Sequence, residues 1–88
     1  MRQVYAHKAV LEAGPAPELG ANFHIETVRT GGQSQLRILF ATEPHRVDAV
    51  RAEIDAALST GPARLVESGC VRIEPADREP ARRLLRAG

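Results

Sequence analysis

Gly31-Gly32 separates two alternating runs, Asn22-Phe23-His24-Ile25-Glu26-Thr27-Val28 and Gln35-Leu36-Arg37-Ile38-Leu39-Phe40-Ala41. Paired glycines reach the positive φ angles that a two-residue hairpin turn requires. Closing the turn there sets Thr30 opposite Gln33, and the remaining pairs follow. Phe23 faces Phe40, Ile25 faces Ile38 and Thr27 faces Leu36. On the other face Glu26 meets Arg37 and His24 meets Leu39. Apolar groups meet apolar groups and acid meets base in the same register, so turn chemistry and side-chain pattern agree. A slip of one residue would send the apolar set to the wrong face.

The rest of the chain is read outward from that hairpin. Residues 1–5 form a short extended start. Residues 6–13 have helix-forming composition and end at Gly14-Pro15, a permissive residue followed by one that cannot continue a helix. Residues 16–21 read as a loop with Pro17 and Gly20. After the hairpin, Thr42-Glu43-Pro44 opens the longest helix, with Thr42 or Glu43 as cap and Pro44 in the first turn. Val47, Val50, Ile54 and Leu58 recur at helical spacing and form one apolar stripe. Gly61-Pro62 stops that helix. Residues 64–74 have strand character, with Ser68-Gly69 as a bulge or a tight turn. Asp77 caps a final helix over 78–86, anchored by Leu84-Leu85.

This order makes the chain an α+β domain, a ferredoxin-like βαββαβ sandwich with an added C-terminal helix. Its 88 residues suit one domain over 1–88, near the size at which a single core is barely enough. Phe23, Ile25, Leu36, Ile38 and Phe40 would face the helices, each contributing about 1.5–3 kcal/mol by burial. Ordering the chain consumes most of that total, so a second chain burying more surface would help.

Composition excludes several classes. Twelve basic and eleven acidic residues nearly cancel, unlike a chain built to neutralise many phosphates. Eleven of the twelve basic residues are Arg, read first as coding bias. The single Cys70 forms no internal disulfide and is compatible with a reducing compartment. No apolar run is long enough to span a bilayer, and residues 1–5 lack a signal-peptide core. The expected location is cytoplasmic, without a membrane.

The element order, together with certain residues, resembles the C-terminal domain of phenylacetate–CoA ligase-type adenylate-forming enzymes. The resemblance rests on Val4-Tyr5 opening the first segment, Pro17-Glu18-Leu19 leading into the hairpin, and Ala81-Arg82-Arg83 in the closing segment. It spans most of the chain, chiefly as hydrophobic pattern. It implies a scaffold without the chemistry. The family's catalytic lysine falls at Pro80, which carries neither charge nor N–H, and the preceding glycine at Glu79. The hinge and the large ATP-binding domain of that family have no counterpart here.

Candidate sites are few. His7, His24, His45 and Cys70 have no metal-ligand spacing, so surface or edge histidines are expected and no metal or other cofactor. Cys70 lies in an apolar strand run, where a buried, inert thiol is expected. Gly31-Gly32 lacks the flanking pattern of a phosphate loop. Arg78, Arg82, Arg83 and Arg86 make a basic helix, but Asp77 and Glu79 dilute it and no aromatics accompany it, which disfavours nucleic acid. The outward sheet face remains: His24, Glu26, Val28, Arg37, Leu39 and Arg72, with Glu74 beside them. It is either a solvated face with weak ion pairs or a docking face.

Three functions are consistent with this sequence. The first is a non-catalytic accessory or interaction domain that forms a homodimer or docks on a larger enzyme. The second is a small-molecule-sensing regulatory domain like the ACT domains, although residues 1–8 contain no glycine for a glycine-rich ligand loop. The third, disfavoured by Pro80, is the small subunit of a split adenylate-forming ligase.

Overall fold

A computed structural model describes residues 1–14, 18–74 and 79–87. Pro15, which belongs to the expected stop, and Pro17, Asp77 and Arg78 lie outside the described residues. The elements are β1 (Gln3–Glu12), β2 (His24–Thr30), β3 (Gln33–Thr42), α1 (Val47–Ser59), β4 (Arg64–Ile73) and α2 (Glu79–Ala87). The protein is a small α+β fold with one four-stranded sheet, ordered β2-β3-β1-β4, in which every adjacent pair is antiparallel.

The hairpin has the expected register. Gly31 and Gly32 take φ of 55° and 84°, Thr30 pairs with Gln33, Ile25 with Ile38 and Glu26 with Arg37. The Phe23 and Phe40 rings meet edge to face, with centroids 6.2 Å apart.

Residues 6–13 are not a helix. Residues 6–12 continue β1, the central strand, between β3 and β4. Alanine's helix preference is weak beside burial on two faces. Tyr5, Ala9 and Leu11 belong to one apolar core, while the buried Val4 and Ala6 alternate to the other side. The expected helix between the first two strands is therefore absent from the element order, and the chain turns out of β1 through Ala13 at φ 59°.

The main core lies between the sheet and α1. Ile54 and Leu58 are fully buried against Tyr5, Leu36, Ile38 and Phe40, with Val47 and Val50 packed at the margin. Thr42 ends β3, and Pro44–Arg46 form a single 3₁₀ turn ahead of α1. Neither Thr42 nor Glu43 caps α1. Its cap position is Arg46, without a side-chain bond, and the Glu43 carboxylate instead accepts from the Met1 amino group at 2.7 Å. At the other end the Thr60 hydroxyl donates to the Ala57 carbonyl.

The second helix lies on the opposite face. Val4, Ala6 and Leu39 are fully buried on the side away from Ile38 and Phe40, and α2 packs against β3 and β1 with Ala81 fully buried. Arg2 fastens its end: the guanidinium donates to the carbonyls of Leu84, Leu85 and Ala41. The last carbonyls of a helix lack intrahelical partners and attract a cation. The ion pairs of Glu79 with Arg82 and Arg86 are exposed and contribute little.

Strand β4 runs unbroken through Ser68-Gly69. The irregularity falls at Val66, where Val10 opposes Glu67 but Leu11 opposes Leu65. Such an extra residue marks a β-bulge.

If Leu58 is a keystone of the α1 core, Leu58→Ala should lower unfolding stability by about 2–5 kcal/mol in urea denaturation. A loss below about 1 kcal/mol would contradict the packing.

Candidate functional site

Cross-strand partners share a face, so the register locates each candidate residue. Glu26, Arg37, Lys8 and Gly69 form one row across the sheet, and Val28, Gln35, Val10 and Glu67 form the next. His24, Leu39, Ala6 and Val71 form the row on the other flank. All twelve point away from α1.

Of the six residues expected on this face, Glu26, Val28 and Arg37 gather on its uncovered part, and His24 lies on the same face in the Leu39 row. Leu39 shares the face but is fully buried where α2 lies on β3. Arg72 is on the other side, opposite Tyr5, and pairs with Glu74 at 3.5 Å. Its place on the outward face passes to Val71, which is 54% exposed.

Where α2 stops, the sheet is a trough of about 710 Å³. Its floor and rim include Ala6, Lys8, Val10, Glu26, Val28, Arg37 and, from β4, Glu67, Gly69 and Val71. Gly69 shapes it, because a Cβ built there would meet nothing within 4 Å. The Glu26 carboxylate lies 3.4 Å from His24 Nε2. Among the described residues, Lys8 and Arg37 have no ion-pair partner, and Arg37 Nε is buried without an acceptor.

The α1 side carries a second polar group. His7 is fully buried, not at the surface or on an edge as expected. Its Nε2 lies 2.8 Å from Asp55 Oδ1, and Ser68 Oγ donates to the other carboxylate oxygen at 3.4 Å. His7 Nδ1 is buried without a partner. Cys70 stands opposite His7 on β4, half-buried. Burial pushes its thiol up from the ordinary value, with Asp48 and Asp55 adding to the shift and Arg51 opposing it. A thiol shifted this way holds less thiolate at neutral pH and is a poorer nucleophile. Among the described residues, no three His, Cys, Asp or Glu side chains converge on a metal-binding position. No described helix is long and apolar enough to cross a membrane.

Sequence reasoning misplaced His7 and passed over Lys8, because a helical reading of residues 6–13 scattered both around a cylinder. The available signal was the alternation of Tyr5, Ala9 and Leu11 with Lys8. No protein-family model matches the chain, and neither the curated proteins nor the solved structures yield a match.

The shifted thiol gives a pH test. Alkylation of Cys70 by iodoacetamide should be slower in the folded chain than in the urea-unfolded chain at pH 8, and its rise with pH should be displaced upward. Folded-state alkylation equal to or faster than the unfolded rate would contradict the assignment.

Proposed function

We propose that this chain is a non-catalytic association domain of ferredoxin-like descent, and that a second copy docks along the edge of its sheet. The antiparallel order β2-β3-β1-β4 supports that descent, with the helix after the first strand lost and the C-terminal helix laid on the far face. The likeness to the C-terminal domain of phenylacetate–CoA ligase-type enzymes supports a scaffold role. Pro80, at the position of that family's lysine, sits in the first turn of α2 and offers no charge.

One observation carries the reading. β4 is a ten-residue edge strand, and Val66 and Val71 on it are 44% and 54% exposed. Long edge strands with exposed apolar residues and neither Lys nor Pro are templates for pairing with another chain. A two-fold axis at Gly69 would set Val71 of each copy beside Glu67 of the other and Cys70 beside Ser68, with matching faces. A net charge of +1 per chain offers little repulsion to self-association. The other edge, β2, is shorter, with seven residues.

Sedimentation velocity across the micromolar range should show a concentration-dependent dimer, and Val71→Lys with Val66→Lys should leave a monomer with an unchanged circular dichroism spectrum. A wild-type chain that stays monomeric throughout would overturn self-association.

A further inference from the structure

We infer that the open trough on the face away from α1 binds a small molecule that carries one carboxylate on an apolar body. This goes beyond self-association and does not rest on it, since every residue used belongs to one chain.

The anchor is the pair Lys8 and Arg37. They are direct cross-strand partners on β1 and β3, and like charges placed so destabilise a sheet. A fold keeps such a conflict where something else resolves it. Glu26, the other cross-strand neighbour of Arg37, reaches toward His24 instead, and no described carboxylate lies within ion-pairing distance of Lys8 or Arg37. Both residues line the trough, where a carboxylate would accept from the terminal nitrogens of Arg37 and from the Lys8 ammonium. The planar guanidinium suits a carboxylate's two oxygens, while the Lys8 ammonium adds a point charge.

The surroundings define the rest of the ligand. Ala6, Val10, Val28 and Val71 line the trough, and its volume of about 710 Å³ falls within the usual range for small-molecule sites. Gly69, next to Lys8 on β4, leaves open the space that a side chain would occupy, so an apolar body can lie across the strand. Glu26 and Glu67 stand at opposite margins. Their carboxylates balance the two cations of the trough in number, so a monoanion suits it better than a polyanion.

The test is isothermal titration calorimetry of the full chain with octanoate and benzoate, each set against a neutral counterpart, octanol and benzamide. At least one acid should bind and its neutral counterpart should not. Arg37→Met and Lys8→Met should each weaken binding about tenfold or more, the loss of a charge-assisted contact. Gly69→Leu should abolish binding while circular dichroism stays unchanged, because the added side chain enters open space. No heat with either acid, equal binding of the neutral counterparts, or undiminished binding in both Met variants would overturn the inference. Sedimentation of the same samples separates the two ideas: a chain that dimerises but binds no acid refutes this one alone.

Discussion

The fold depends on β1 being buried on both sides. It is hydrogen-bonded over ten residues to β3 and nearly as far to β4, so its side chains alternate between two cores. Tyr5, Ala9 and Leu11 serve the α1 side, while Val4 and Ala6 serve the α2 side. His7 is the polar exception in the first set. A buried imidazole without a partner is costly, and Asp55 supplies one from α1. That bond ties helix to sheet as well as satisfying the ring.

From this constraint the rest follows. A sheet apolar on both faces at one end needs cover on both, and one helix cannot supply it. α1 closes one face. α2 closes the Val4–Ala6–Leu39 end of the other, with Arg2 holding its last carbonyls. Nine residues of helix span about 13 Å at 1.5 Å per residue, too short to cover strands of ten residues. The remainder of that face is therefore open, and it is the stretch where Lys8 and Arg37 sit side by side. The boundary between covered and open sheet is the length of α2.

The parts of the fold that depend on near neighbours could be read from the sequence. Paired glycines and alternating runs specify the hairpin register within a dozen residues, and the Val47–Val50–Ile54–Leu58 stripe specifies α1. What escaped depends on distant pairings. Residues 6–12 hold Ala, Leu, Lys and Glu, all good helix formers, and only the strands on either side make them a strand. Arg72 was assigned to the wrong face because its side follows from the register of β4 on β1, which nothing local fixes. Leu39 signalled a second covered face, since Ile38-Leu39-Phe40 puts apolar groups on both sides of one strand. The candidate surface was thus half readable: four of its residues came from the hairpin, and Lys8, Gly69 and Val71 came only from the sheet.

The central claim is that the two helices cover opposite faces and leave part of one bare. Methyl-resolved nuclear Overhauser spectroscopy on the labelled chain tests it directly. The account predicts cross-peaks from the Ala81 and Leu84 methyls to those of Val4 and Leu39. Cross-peaks from those helix methyls to Leu36 and Ile38 instead would place α2 beside α1 and contradict it.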